Sequence, residues 1–284
     1  MKVAHLILTH NQPRHVERLI KQLLYADDAI FIHVDKKADL SSYHSLKSYR
    51  NVFFINNRVA VDWGSYNVVE ATLNSFQEML HASGQYQYFN LVSGADYALQ
   101  TAGTIHQFLE AHPGKAFMSY QLINEEWPEA IPRITEYHFN NYRFPGKYLL
   151  QKIMNKVLAK RTMPNGLIPV GRSQWFTIST NCVQYILEYW AAHPALRRFT
   201  KLTWAPDEFI FQTILYNSEY RKVMVNDNLR YIDWSEGKAS PKTFTLKDKN
   251  QLIASDKFYA RKFDLENCGA ILDYLDQKLA LVTN

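Results

Sequence analysis

Long apolar runs and cysteines are scarce in this 284-residue sequence. No run approaches the roughly 20 apolar residues of a membrane-spanning helix, so the protein is expected to be soluble or peripheral to a membrane. The short apolar stretch near the start is interrupted by His5, which favours a buried strand over a signal peptide. Two cysteines, Cys182 and Cys268, are too few for a disulfide framework. The cytoplasm, a reducing compartment, is therefore the expected location.

Several nucleotide-binding and metal-binding motifs are also absent. None of the ten glycines belongs to a G-x-G-x-x-G fingerprint or a phosphate loop, which argues against dinucleotide oxidoreductases and P-loop NTPases. The sequence also lacks H-E-x-x-H, G-x-S-x-G and calcium-loop patterns. It has no D-x-D, the aspartate pair through which many nucleotide-sugar transferases hold a divalent metal. No metal site and no cofactor are predicted.

Basic and aromatic residues are plentiful by contrast. The 32 Lys and Arg exceed the 27 Asp and Glu and give a net charge of +5, which suits an anionic small ligand or a membrane surface better than nucleic acid. Many of the 18 Tyr, 16 Phe and 6 Trp stand beside polar residues, as in sugar-binding sites. The same side chains would also fill a large core, and the composition leaves both explanations open.

The first part of the chain alternates between short apolar segments and segments with helical periodicity. This alternation predicts βαβ units and a Rossmann-type, mostly parallel sheet flanked by helices, an α/β fold. No linker or repeat interrupts the sequence, so one domain is expected over 1–284, with a nucleotide-binding half at 1–121 and an acceptor and catalytic half at 122–284. The predicted strands are 2–10, 29–35, 51–56, 88–94 and 116–121, and the predicted helices are 13–26, 65–82 and 102–112.

Polar residues follow the predicted strands at the end where ligands bind in such sheets. His10 and Asn11 follow the first strand, Asp35 ends the second, and Asp96 comes just after the fourth. Asp35 could accept hydrogen bonds from a ribose or a base, or belong to a solvated turn. Asp96 has a similar alternative, since aspartate commonly stabilises turns.

Two segments of the second half have distinct compositions. Residues 122–146 are rich in aromatics, charges and prolines without a clear period, as a substrate-facing loop would be. Residues 147–161 predict a basic amphipathic helix, with lysines every four residues opposite an apolar face. That helix could lie on an anionic membrane or pack its apolar face on the core. Its lysines are Lys152, Lys156 and Lys160, and its apolar residues are Leu149, Leu150, Ile153, Met154, Val157 and Leu158.

The stretch "TWAPDEFIFQTIL", residues 203–215, places two carboxylates after a proline and before an apolar run. Pro206 suits a first helical position, and acidic residues in a first turn interact favourably with the helix dipole. Asp207 and Glu208 could therefore mark only a helix start. A catalytic pair of carboxylates would have the same sequence pattern.

Eight stretches in order resemble the core-2/I-branching glycosyltransferases, the β-1,6-N-acetylglucosaminyltransferase family that includes peptide O-xylosyltransferases. The resemblance runs from residue 4 to about 265 and implies a GT-A-like fold. It also implies inverting transfer of N-acetylglucosamine or xylose from a UDP-sugar to a glycan hydroxyl without a metal. The stretches are "HLILTHNQP", "IFIHVDKKAD", "VDWGSYNVVEATLNSFQEML", "YFNLVSGADYALQT", "GRSQWFTIS", "APDEFIFQTIL", "LRYIDW" and "FYARKFD".

The resemblance assigns the catalytic base and the phosphate ligands. Glu208 matches the family glutamate that acts as general base. Lys262 matches the lysine that contacts the phosphates, whose departing negative charge must be stabilised by a cation where no metal is bound. The second phosphate ligand of the family, an arginine, has no identical counterpart here. Lys238 or Lys242 could replace it, and Lys242 is preferred.

Further residues are expected around the nucleoside and the acceptor. Asp35 matches the position that faces the uridine, and the backbone around Leu8 and Thr9 is expected to border the uracil. Trp234 matches a tryptophan of the acceptor pocket, and Asp96 is expected to bind the acceptor as well. Glu236 stands where animal members have an aromatic residue, so acceptor identity is not carried over.

The resemblance suggests a bacterial-type member, because the membrane anchor and disulfides of the animal proteins are not found here. Such a member is expected in the cytoplasm, or peripherally on the inner membrane through 147–161, in synthesis of a surface polysaccharide or lipid-linked oligosaccharide. Two alternatives are an inactive carbohydrate- or nucleotide-binding protein of the same fold and a glycoside hydrolase that uses Glu208.

Overall fold

The strands and helices of the computed structural model, which describes residues 1–82 and 84–283, follow the predicted alternation in the first part of the chain. The strands are β1 Val3–Thr9, β2 Ala29–Val34, β3 Val52–Phe54, β4 Tyr88–Ser93, β5 Asp96–Ala98, β6 Ala116–Leu122, β7 Val170–Ser179, β8 Met224–Val225, β9 Arg230–Ile232 and β10 Tyr259–Arg261. The helices are α1 Pro13–Leu23, α2 Tyr66–His81, α3 Ala102–Ala111, α4 Ile123–Glu126, α5 Ile131–Thr135, α6 Lys147–Val157, α7 Thr180–Ala192, α8 Pro194–Thr200, α9 Ile210–Tyr216, α10 Lys249–Ala254 and α11 Leu265–Thr283. The predicted α/β class is confirmed.

The residue contacts divide the chain into two compact units, and neither is a continuous stretch. The prediction of one domain over 1–284 stays a prediction. The first unit comprises Met1–Asn56, Ser83–Pro113 and Leu229–Asn284, and the second comprises Asn57–Ala82 and Gly114–Asn228.

The first unit contains four parallel strands in the order β3-β2-β1-β4. Every residue of β2 and β4 is buried, because a parallel sheet is covered on both faces, and the two strands are mostly apolar. Thr9 pairs with Val34, and Leu8 pairs with Ser93, so the carboxyl ends of three strands lie side by side. A smaller sheet, β5-β10-β9, contains the segment that leads to Lys262.

The second unit is built on β7, β6 and β8, with β6 antiparallel to β7 and parallel to β8. Helix α9 packs against β7 and is almost entirely buried. The segment 122–146, predicted as an irregular loop, also contains α4, α5 and a 3₁₀ turn between them. None of the helices in the described ranges has both the length and the apolar character needed to cross a bilayer.

Candidate active site

Glu208 ends a 3₁₀ turn at Pro206–Glu208, just before α9. Ala205 has a left-handed conformation, with φ of 47°, and its amide donates to the Gly64 carbonyl over 2.8 Å. A Cβ on Gly64, which has φ of +66°, would lie 2.6 Å from Nε1 of Trp204. Only glycine therefore fits at this point of contact.

Strand β7 supports the same turn from another direction. A Cβ on Gly171 would lie 2.2 Å from Cβ of Phe209 and 2.5 Å from the carbonyl oxygen of Glu208. Real Cβ atoms do not approach other atoms so closely, so the strand can touch the turn only because residue 171 is glycine. The position of Glu208 is thus fixed by tertiary packing on both sides.

An arginine holds the Glu208 carboxylate. Nη1 of Arg133 donates to Oε2 of Glu208 over 2.5 Å. The guanidinium lies 4.5 Å from the ring centre of Trp204 and 4.7 Å from that of Trp127. Stacking on aromatic rings is favourable for a guanidinium, and it limits the rotamers that the side chain can adopt.

The Glu208 side chain remains partly accessible. Its relative exposure is 32%, against 12% for Arg133. Arg133 engages one carboxylate oxygen, while Oε1 makes no hydrogen bond to any residue that the structure describes. The carboxylate is oriented and still has an oxygen available to accept a proton.

Asp207 is buried beside Glu208. Burial, and after it the negative charge of Glu208, raise the pKa of the Asp207 carboxyl from 3.8 to about 7. Its Oδ1 atom has no hydrogen-bond partner among the described residues, and its side chain does not cap α9. Desolvation of this carboxyl therefore favours its neutral form.

On the first unit, Leu8, Thr9 and Asp35 lie together where β1 and β2 end. The Asp35 amide donates to the Thr9 carbonyl over 2.8 Å, and the Gly94 amide donates to the Leu8 carbonyl over 2.8 Å. The Asp35 carboxylate accepts the Lys37 amide over 2.8 Å. This carboxylate therefore stabilises a turn, but it is buried and not solvated as the second sequence interpretation has it. The predicted contact with uridine stays a prediction.

Asp96 is fully buried and has its two carboxylate oxygens engaged. Oδ1 accepts from Arg261 over 2.9 Å, and Oδ2 accepts from the Ser93 amide over 2.9 Å. These contacts match the turn-stabilising alternative. The acceptor contact predicted for Asp96 stays a prediction, and the buried side chain lends it no support.

Lys242 and Lys262 are neighbours, but their ammonium groups differ in their carboxylate partners. The Lys262 amide faces the Lys242 carbonyl at 3.4 Å. Nζ of Lys242 donates to Oδ1 of Asp248 over 2.6 Å and lies 3.9 Å from Oδ2 of Asp233. The hydrogen bond to Asp248 raises the pKa of Lys242.

The half-buried Lys262 side chain has no carboxylate within 4 Å across the described residues. Lys238, the other candidate for the phosphates, is exposed and pairs with Glu236 over 2.9 Å. Trp234 is 53% exposed in the loop after β9. Lys262 is therefore the predicted phosphate ligand whose charge is available.

The structure groups the predicted site residues by unit. Glu208 belongs to the second unit, and Lys262 belongs to the first, so the predicted placement of the two across a sugar stays a prediction. No group of three or more His, Cys, Asp or Glu within the described residues could hold a metal ion. The other predicted site residues of the first unit are Leu8, Thr9, Asp35, Asp96, Trp234 and Lys242.

Arg133, Trp127 and Trp204 were not predicted from the sequence. Arg133 and Trp127 lie inside the aromatic, charged segment that was expected to face substrate, so the segment was identified without its key residue. Arg133 and Glu208 are 75 positions apart, and no periodic pattern relates them. The tryptophan beside "APDE" was the available signal, because an indole next to buried charges is a common partner for arginine.

Comparisons with known proteins agree with the sequence resemblance. Residues 3–255 match the family described as core-2/I-branching enzyme. Human xylosyltransferase 2 is 25% identical over 306 aligned residues, which cover 97% of this chain and 33% of that protein. Rat xylosyltransferase 1 is 25% identical, with 98% of this chain and 35% of that protein covered. The chain thus spans about a third of the curated relatives it matches.

Solved structures show a more distant likeness. The crystal structure of mouse xyloside xylosyltransferase 1 in its apo form superposes with a TM-score of 0.43 at 9% identity. That superposition covers 95% of this chain and 99% of the mouse chain.

Proposed function

Because the chain belongs to the core-2/I-branching enzyme family, we propose that it is an inverting glycosyltransferase that uses a UDP-sugar donor and needs no metal. The sugar is N-acetylglucosamine or xylose, and the acceptor is a glycan hydroxyl. The observation that carries this proposal is the Glu208 carboxylate, partly exposed and oriented by Arg133 between two indole rings.

In the proposed reaction Glu208 is the general base. Its free oxygen, Oε1, accepts the proton of the acceptor hydroxyl as that oxygen forms a bond to the anomeric carbon. The bond between the anomeric carbon and the UDP oxygen breaks on the opposite face, and its electron pair leaves with the diphosphate. Configuration at the anomeric carbon is therefore inverted.

Arg133 is the positioning residue of this mechanism. Its hydrogen bond to Oε2 holds the carboxylate in one orientation, and the two indoles hold the guanidinium. A base held in this way loses little orientational freedom when the acceptor arrives. The exposed indole of Trp63 lies edge-on to Trp204, 6.0 Å between ring centres, and offers a flat surface for a sugar ring.

Lys262 is proposed to stabilise the departing diphosphate. Its ammonium group is free of carboxylate partners among the described residues, so a phosphate would not have to displace one. Lys242 contributes less, because Asp248 already neutralises it. Lys238 is paired as well, with Glu236, so the predicted preference for Lys242 over Lys238 stays a prediction.

The proposed setting is synthesis of a bacterial surface polysaccharide or lipid-linked oligosaccharide at the cytoplasmic face of the membrane. The net charge of +5 supports an enzyme that works beside anionic lipid, as do the lysines of 147–161, which form no ion pair with a described residue. The donor and acceptor would be found by screening nucleotide sugars for turnover with oligosaccharide and lipid-linked acceptors.

Glu208→Gln tests the mechanism. General-base assistance is worth about 10² to 10⁴ in rate, so we expect transfer to fall by that factor while UDP affinity, measured by calorimetry, is unchanged. Glu188→Gln, at an exposed carboxylate on α7, is the matched control and should keep full activity. Transfer should also persist in excess EDTA.

Three results would contradict the proposal. Full activity of Glu208→Gln would remove this residue from the mechanism. UDP binding by the wild-type protein with no transfer to any acceptor would indicate an inactive binding protein. Release of free sugar from oligosaccharides without a nucleotide would indicate a glycoside hydrolase.

A further inference from the structure

Helix α6 is attached to the second unit through its polar side. Oε1 of Gln151 accepts the Phe139 amide over 2.9 Å. The Asn155 side chain accepts the Tyr137 amide over 2.7 Å and donates to the Tyr137 carbonyl over 3.0 Å. Gln151 and Asn155 are four residues apart and therefore share one face of the helix.

The apolar side of α6 faces away from the protein. Leu149, Ile153 and Val157 are also four residues apart, on the face roughly opposite Gln151 and Asn155. Leu149 is 65% exposed and Val157 is 74% exposed, and no residue of the helix is buried. The alternative that this face packs on the core is therefore wrong. Other exposed apolar residues nearby in sequence are Tyr142, Phe144, Tyr148, Leu150 and Leu158.

The stretch of chain that contains this face has charge of one sign. Residues 137–187 contain no Asp or Glu, while they contain several Lys and Arg residues. Lys152, Lys156 and Lys160 are exposed and form no ion pair with any residue that the structure describes. An apolar surface flanked by unpaired lysines is complementary to a bilayer surface that carries negative charge.

We propose that α6 is a membrane-docking helix that lies in the plane of an anionic phospholipid surface. Its apolar face enters the boundary between headgroups and acyl chains, and Lys152 and Lys156 contact the phosphates. A second copy of this chain is the less suitable occupant, because two such faces would bring their lysines together without any carboxylate between them. This inference does not depend on the reaction that the enzyme catalyses.

Vesicle co-sedimentation tests the apolar part of the proposal. The wild-type chain should bind vesicles of phosphatidylglycerol and phosphatidylcholine more tightly than vesicles of phosphatidylcholine alone. The variant Leu149→Ser/Ile153→Ser/Val157→Ser should lose about 10-fold or more in that affinity, because the buried apolar area drives insertion. Ile168→Ser, at an exposed isoleucine of the same unit, is the matched control and should bind as the wild type does.

The lysines are tested separately. Each basic residue near an anionic surface contributes to the binding free energy. Lys152→Gln/Lys156→Gln should therefore lower the affinity for anionic vesicles about 30-fold at low salt. Raising the salt concentration should reduce this difference, since it screens exposed charges. Lys47→Gln/Lys222→Gln removes two exposed lysines elsewhere and should have little effect.

Two results would overturn the proposal. One is equal binding of anionic vesicles by the wild-type chain and the triple serine variant, or no binding by either. The other is a concentration-dependent dimer in ultracentrifugation that Ile153→Ser dissociates, which would assign the face to a second copy. A cooperative thermal unfolding transition for each variant shows that it is folded, and this control does not depend on UDP binding or on the proposed reaction.

Discussion

The turn around Glu208 and the loop around Lys242 both combine cations with carboxylates, but they leave opposite charges available. At the turn, Arg133 donates to one oxygen of Glu208, and Oε1 has no hydrogen bond to any described residue. At the loop, Asp248 takes the Lys242 ammonium, and the neighbouring Lys262 keeps its own charge unpaired among the described residues. A motif of charged residues therefore does not reveal which charge can act on a substrate. The ion-pair and hydrogen-bond partners of each charged group determine whether it is available to a substrate.

The largest expected effect among the loop and packing variants is that of Lys262→Gln. Hydrogen bonds to a charged group contribute about 1.5–3 kcal/mol, so UDP affinity should fall about 10- to 100-fold in calorimetry. Thermal stability should not change, because Lys262 has no ion pair to lose within the described chain. Lys238→Gln is the control, and an equal loss of UDP affinity there would remove the distinction between the two lysines.

Gly171→Ala tests whether packing fixes the turn that carries Glu208. The added Cβ would collide with Phe209 and the Glu208 carbonyl, and overpacking of this kind costs about 1–3 kcal/mol. The free energy of unfolding in urea should fall by that amount, and transfer should fall with it.

Gly269→Ala is the control for this variant. Its nearest atom, Cδ1 of Leu265, would be 3.7 Å away, an ordinary contact. Stability should be kept there. Full stability in Gly171→Ala would mean that the turn is not held in place by the strand.

Asp207 should make stability depend on pH. The folded state holds its proton above the ordinary pKa of 3.8 up to about 7, so it binds more protons than the unfolded state in that interval. The free energy of unfolding should therefore fall as the pH rises, by up to about 1.4 kcal/mol for each unit of pKa difference.

Asp207→Asn should flatten this dependence. The measurement is urea unfolding at pH 5 and pH 8, with the exposed Asp256→Asn as control. A pH dependence in Asp207→Asn equal to that of the wild type would show that another group causes it.

The smallest expected effect is that of Lys242→Gln. Loss of the ammonium leaves Asp248 without its cation, but Asp248 still accepts from the amide and the hydroxyl of Thr245. We expect a small decrease in melting temperature and a weaker loss of UDP affinity than in Lys262→Gln. A larger loss of affinity than in Lys262→Gln would reverse the roles of the two lysines.

Much of the first unit could be predicted from local patterns. The strands β1, β2 and β4 are mostly apolar because both faces of a parallel sheet are buried, and this is visible in the sequence. The positions of Thr9 and Asp35 at strand ends can be predicted from the same local pattern. The hydrogen bond between Asp96 and Arg261 cannot, because it joins residues 165 positions apart.

The candidate site was predicted only in part, for a similar reason. Glu208 stands in a short motif, so its type and position can be recognised in one stretch of chain. Its partner Arg133 and the two indoles come from separate stretches that only the fold brings together. Burial of Asp207, which raises its pKa, likewise depends on what surrounds it and not on its neighbours in sequence.

Helices α1 and α6 show what the sequence determines and what the tertiary structure determines. Both have eleven residues and an amphipathic pattern, which the sequence determines because side chains three and four apart share a face. Only the tertiary structure decides that α1 buries Val16, Leu19 and Ile20, whereas α6 buries nothing. The physical reason is that the backbone of Tyr137 and Phe139 offers hydrogen-bonding groups to Gln151 and Asn155. Periodicity defines the two faces of a helix, and the groups next to it select the one that turns inward.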